Sequence, residues 1–85
     1  MLMPHTSLDL RELAPPEPMQ RILDALAVLP GDACLEAFTP LYPAPLLAML
    51  DADGYAVAVA PADRGYRVRI VRADHASILD GDADV

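Results

Sequence analysis

Leu8-Asp9-Leu10-Arg11-Glu12-Leu13-Ala14-Pro15-Pro16-Glu17-Pro18 is the stretch whose reading decides the fold. Leu8 and Leu10 alternate with Asp9 and Arg11, the period of a half-buried strand. Pro15, Pro16 and Pro18 then mark a helix entrance, where the first N–H groups have no intrahelical partner and a missing donor costs little. A strand that breaks onto a proline-marked helix start opens a strand–helix–strand unit.

Outward from that start, the spacing predicts a helix from about Pro16 to Leu29. Met19, Ile22, Leu23, Leu26 and Leu29 fall on one face, and Gln20, Arg21 and Asp24 point elsewhere. Pro30-Gly31 ends it, and Ala33 to Thr39 reads as a second strand. There Leu35/Ala37 and Cys34/Phe38 compete for the buried face, because a one-residue slip exchanges them. Pro40, Pro43 and Pro45 stiffen the way into a second helix from about Ala44 to Asp53, with Leu46, Leu47 and Leu50 inward and Gly54 as its C-terminal cap. Tyr55–Val59 and Tyr66–Ile70 alternate around an Ala62-Asp63-Arg64-Gly65 turn, the pattern of a hairpin. The order βαβαββ gives an α/β chain of the α+β two-layer sandwich type. Right-handed crossovers place both helices on one face of a mixed four-stranded sheet. The expected organisation is a loose arm over 1–6, one domain over 7–72 and an acidic, disordered tail over 73–85.

The opening stretch resembles that of the TusA/SirA-like sulfur carriers, in which Leu-Asp-x-x-Gly-Leu leads to Cys-Pro-x-Pro. In that family the cysteine carries a persulfide, and its thiolate is stabilised by the amides of the helix N-terminus. Pro15 occupies that position here, with neither a thiol nor an N–H. The chain is more similar still to a relative of the carriers, the bacterial domain of unknown function 2249 (DUF2249), which reads Leu-Asp-x-Arg-x-Leu-x-Pro-Pro-Glu-Pro. The resemblance runs from Leu8 to Arg72 and takes in Leu29-Pro30-Gly31-Asp32, Pro40-Leu41-Tyr42-Pro43, Gly54-Tyr55 and Tyr66-Arg67-Val68-Arg69-Ile70. It implies the TusA/SirA-like fold and no established activity. Some relatives carry an Asp-His-Asp-Pro segment after the second strand; Phe38 to Pro43 stands there instead, so no role of that histidine transfers. Association of such domains with respiratory, nitrogen-oxide or hemerythrin-type proteins implies a setting beside redox metabolism.

Composition narrows the function classes. A chain of 85 residues has room for one small domain and little for a multistep catalytic cleft. Its 54% hydrophobic content is enough for a core. Thirteen acidic against six basic residues give a net charge of −7, which opposes a phosphate backbone, so nucleic acid is not expected as a partner. No apolar run approaches the ~20 residues that cross a bilayer, and no signal peptide is visible, so the expected location is cytoplasmic and off the membrane. A lone cysteine, Cys34, makes no internal disulfide.

Candidate site residues fall in three places. Asp9, Arg11, Arg67 and Arg69 alternate against the core set and should share the open sheet face, with Arg64 or Arg72 at its margin. Guanidinium forks suit bidentate contact with an acidic protein partner or a small anionic ligand, although cross-strand pairing with Asp9 would occupy them equally well. Glu17 and Pro18 at the helix-one entrance, with Tyr42 in the following loop, form the second place. A helix N-terminus favours anions, but the three prolines remove donors and Glu17 brings its own negative charge, so a partner's side chain or peptide fits better there than phosphate. Cys34 is the third, a candidate redox or sulfur-accepting thiol. It sits in a strand without a neighbouring cation to lower its pKa, the setting of a small core hydrophobe.

Other constellations are weak. His5 and His75 lie at opposite ends without metal-ligand spacing, and Asp80-Gly81-Asp82-Ala83-Asp84 lacks the rest of a calcium loop, so no metal or other cofactor is expected. Asp51-Ala52-Asp53-Gly54 reads as a helix terminus. Nucleophile elbow, phosphate loop and dinucleotide fingerprint are all missing. The expected function is a non-catalytic protein- or ligand-binding accessory module. A carrier working through Cys34 and a small-ligand sensor at the helix-one entrance are the alternatives. Self-association as a homo-oligomer, through an edge strand or the open sheet face, is a further expectation for a small, apolar-rich chain.

Overall fold

The computed structural model describes residues 5–75. Its elements are β1 (His5–Asp9), α1 (Glu17–Ala27), β2 (Cys34–Thr39), α2 (Ala44–Ala52), β3 (Tyr55–Ala62) and β4 (Gly65–Arg72), followed by a 3-10 turn over Ala73–His75. The sheet order is β1-β2-β4-β3, with β1 parallel to β2 and the other two neighbouring pairs antiparallel. This is the expected α+β arrangement of two helices and a mixed four-stranded sheet.

Boundaries differ from expectation for identifiable reasons. β1 starts at His5 and ends at Asp9 rather than running from Leu8 to Arg11. Its polar residues Thr6 and Ser7 pair with Leu35 and Glu36 through backbone bonds that hydrophobic alternation does not report. The strand therefore claims His5 and Thr6 from the expected arm, and the 3-10 turn claims 73–75 from the expected tail; residues 1–4 and 76–85 lie outside the described residues. α1 stops at Ala27 because Pro30 ahead biases Leu29 away from helical backbone. The Val28 and Leu29 amides close the end onto the Ala25 and Leu26 carbonyls. At the end of α2, Gly54 takes φ +87° and donates to the Asp51 carbonyl, the left-handed exit that glycine makes without a Cβ penalty.

The register settles which face of β2 is buried. Leu35 and Ala37 point toward the helices and join Ile22 and Leu26 of α1, Leu46 and Leu50 of α2, and Val68 and Ile70 of β4 in one core. Both helices contribute to this cluster, so both lie on the same side of the sheet. Cys34, Glu36 and Phe38 share the opposite face with Arg67, Arg69, Val71 and the alanines at 56, 58 and 60. Cys34 and Val71 are nevertheless buried there, with Ala56 and Ala58 packed against them.

Gly65 is required by a close approach. A Cβ at that position would collide with the Thr39 carbonyl oxygen where β4 starts beside the end of β2. The contact holds the hairpin turn against the loop that follows β2.

Candidate functional site

The chain leaves β1 and β2, the parallel pair, at the same end of the sheet, and each exit leads to a helix start. After β1, the Leu10 amide donates to the Phe38 carbonyl, Leu13 to Leu10, and Glu17 to Ala14, so the segment folds back on itself before α1 begins. After β2, the Thr39 hydroxyl donates to the Leu41 carbonyl at 2.9 Å, and the Ala44 amide donates to Tyr42 at 3.0 Å. Between the two exits lies a cleft of about 350 Å³. Pro15, Pro16 and Pro18 form one wall, and Pro40, Pro43 and Pro45 the other. Ile22 and Leu46, both buried, make its floor, while Leu41 and Tyr42 stand on the rim at 62% and 54% exposure. Tyr42 is braced edge-on by Tyr66, with ring centres 5.5 Å apart.

Electrostatics make this an apolar site although two helix N-termini meet at it. A helix start attracts anions through its free amides. Here Pro16 and Pro18 in the one, and Pro43 and Pro45 in the other, supply no N–H. The intervening Glu17 and Ala44 amides are committed to the Ala14 and Tyr42 carbonyls. Neither helix has a side-chain cap. Among the described residues, the side-chain hydroxyls on the lining are those of Thr39, which is spent on Leu41, and Tyr42. A cavity of this size and lining accommodates a small hydrophobic or aromatic group rather than an ion.

The structure brings Pro18 and Tyr42 together in this cleft. Glu17 stands beside it, exposed on the first turn of α1, with the Arg21 guanidinium one turn along at 3.5 Å. Sequence reasoning did not pick out Met19, Ile22, Leu41 or Leu46 as lining. The available signal was the repetition of a Pro-x-Pro pair at both helix starts, Pro16/Pro18 and Pro43/Pro45.

The arginines of the open sheet face have a different fate. Arg11 grips the Asp9 carboxylate with two nitrogens, Nε at 2.9 Å and Nη2 at 2.8 Å. Its Nη1 donates to the Asp63 carbonyl in the β3–β4 turn at 2.8 Å, and its guanidinium lies 5.2 Å from the Phe38 ring centre. It acts as a clip between the end of β1 and the far hairpin. These hydrogen bonds hold the Asp9 carboxyl down at about 2 and raise Arg11. Arg67 approaches Glu36 at 3.9 Å, and Glu36 also accepts from the Ser7 hydroxyl. Arg69 lies half-buried on the same face, two residues along β4 from Arg67 and opposite Glu36 in the ladder. At the margins Arg64 reaches Asp63 at 3.5 Å, and Arg72 stacks 5.8 Å from the Tyr55 ring centre.

Cys34 is in neither place. It sits at the start of β2, 7% exposed, beside Val71.

A family model described as an uncharacterized conserved protein, DUF2249, matches residues 7–72. No curated protein and no solved structure matches the chain.

Proposed function

The chain belongs to the DUF2249 family of uncharacterised conserved proteins, and from that premise we propose that it is a non-catalytic accessory module that binds an apolar ligand group in the proline-walled cleft between the two helix starts. The observation that carries this reading is the lining itself: two proline walls over an aliphatic floor, with four helix-start positions occupied by prolines and the Glu17 and Ala44 amides already bonded. Prolines suit such a wall because their rings are held stiff, so little conformational freedom is lost when a ligand seats against them. Leu41 and Tyr42 on the rim are two of the large hydrophobic side chains the fold leaves exposed, which fits a mouth that a ligand covers.

The same accounting weighs against the other sequence expectations. An arginine docking face would need guanidinium groups to spare, and Arg11 already holds Asp9 and Asp63 while Arg67 leans on Glu36. A sulfur carrier needs a thiol that a donor can reach, and Cys34 is buried among apolar side chains.

Indole serves as a test probe. With ~9 heavy atoms at about 0.5 kcal/mol each, within the range of small ligands, it should bind with a Kd near 1 mM. In an NMR titration the amide signals of Met19, Ile22, Leu41 and Leu46 should shift together and saturate, while those of Ala58 and Val71 stay in place. Replacement of Leu41 by Trp, which fills the mouth, should abolish the shifts. Saturable shifts confined to the alanine-bearing sheet face, or none up to the solubility of indole, would remove the proposal.

A further inference from the structure

β3 ends the sheet on one side, and its free edge carries its own instructions. The two-residue turn Asp63-Arg64 pairs Ala62 with Gly65, which fixes the phase of the ladder. Ala62, Ala60, Ala58 and Ala56 therefore turn their backbone groups toward β4. Tyr55, Val57, Val59 and Pro61 turn theirs outward. Two bonds check this phase: the Ala73 amide donates to the Gly54 carbonyl at 2.9 Å, and across the sheet the Leu10 amide donates to Phe38 at 2.8 Å. Pro61 thus lacks its N–H on the free edge, where no ladder bond is lost.

Natural edge strands are usually blunted by charges, bulges or a covering element. β1, at the other edge, has Thr6, Ser7 and Asp9. A proline on the edge is a further such device, and Pro61 is the one that β3 has among the described residues: Tyr55 to Ala62 contains no charged residue, its register with β4 runs without a bulge, and no described strand pairs with its outer side. Beside it, between α2 and the edge, lies a second hollow of about 400 Å³ bordered by Tyr42, Leu47, Asp51, Tyr55, Val57 and Val59.

We propose that this edge pairs with the same edge of a second copy, antiparallel about a two-fold axis, to make one continuous eight-stranded sheet. The strand is self-complementary. With the axis at Val57 or at Ala58, the amides of Tyr55, Val57 and Val59 in each copy all meet a carbonyl of the other, three donors per copy. An axis at Ala58 leaves the Tyr55 carbonyl opposite Pro61 without a donor; one shifted to Val59 does this to the Val57 carbonyl and also carries Tyr55 past the end of the partner strand, opposite Asp63. In the favoured registers Val57, Val59 and Tyr55 of both copies lie on the helix side, where cross-strand aromatic and β-branched pairs stabilise a sheet, and alanines meet alanines on the other. The uncharged strand also lets two chains of net charge −7 meet without placing like charges opposite one another in the ladder. The contact is isologous, so it closes at two copies. It is independent of the proline-walled cleft.

Amide hydrogen exchange on the intact chain, at high concentration and after hundredfold dilution, reads the pairing directly. At high concentration the amides of Tyr55, Val57 and Val59 should be protected like those of Ala56, Ala58 and Ala60, and sedimentation should give twice the 9.1 kDa chain mass. On dilution the mass should halve and only the odd-numbered set should lose protection. Val57→Pro, whose missing N–H lies on the free edge, should remain folded and monomeric. A single-chain mass at high concentration overturns the inference. So does a dimer whose Tyr55, Val57 and Val59 amides exchange freely, since it would use another surface. Because wild-type exchange alone separates these results, the test survives a Val57→Pro chain that fails to fold.

Discussion

Leu46 and Leu50 sit one turn apart on α2, each 1% exposed and each part of the same core. Truncation to alanine should nevertheless cost different amounts. Removing three carbons forfeits about 2.4 kcal/mol of transfer free energy at about 0.8 kcal/mol per methylene. At Leu50 the void is sealed between α2 and the sheet. A residual cavity of about 50 Å³ at about 24 cal/mol per Å³ adds about 1.2 kcal/mol, for a total near 3.6 kcal/mol. At Leu46 the void opens into the cleft, whose floor this side chain forms, so the loss should stay near 2.4 kcal/mol. A chain of this size has roughly 4–13 kcal/mol to lose. Urea unfolding followed by far-UV circular dichroism resolves the gap. With a slope of about 1 kcal/mol per molar, the two midpoints should lie about 1 M apart, Leu50→Ala the lower. Equal losses, or a larger one at Leu46, would mean that the cleft is closed in solution and would refute the geometry on which the binding proposal rests.

The Asp9 carboxyl should titrate near pH 2 rather than 3.8 in a carbon-detected NMR titration, and Arg11→Met should return it toward 3.8. Because the folded value lies below the unfolded one, the stability this group contributes is complete above about pH 4 and disappears as pH falls through about 2. The stability difference between wild type and Arg11→Met should shrink over that window; a pH-independent difference would show that Arg11 acts through its stacking on Phe38 instead. Gly65→Ala drives a Cβ into the Thr39 carbonyl and should cost about 1–3 kcal/mol. Gly31→Ala meets nothing within 4 Å and should be neutral or slightly stabilising, so thermal melts of the two variants should separate by several degrees.

The elements that were legible in the sequence are those whose side chains repeat with their own period. The Ile22/Leu26 and Leu46/Leu50 spacings announce helices, and Val68/Ile70 announce a strand, because each buries one face. What the period could not report was backbone pairing. Thr6 and Ser7 belong to β1 because parallel bonding to β2 holds them. β3 runs on through Pro61 because the missing donor happens to face outward. The choice between Leu35/Ala37 and Cys34/Phe38 also needed a partner strand. Once β4 lies beside β2 with Val68 opposite Ala37 and Ile70 opposite Leu35, the helix-facing set is decided.

The cleft was half legible for the same reason. Pro18 and Tyr42 stand out locally, but a wall made from 15–22 and another from 39–46 become one site only because β1 and β2 run parallel and deliver both helix starts to the same end of the sheet. That placement ordinarily offers amides to an anion. The prolines at both starts replace donors with ring carbons while leaving the helices in register, so the scaffold keeps a concave site and changes its chemistry from polar to apolar. Arg11 follows the same logic in reverse. Sequence alternation puts it on the open face as a cation to spare, yet the tight turn after β1 brings it back onto Asp9 and the β3–β4 hairpin, where it serves as a structural clip. Charge placed by periodicity becomes a binding feature only when the surrounding backbone leaves it unspent, and at this end of the molecule the backbone spends the charge and leaves the apolar surface open.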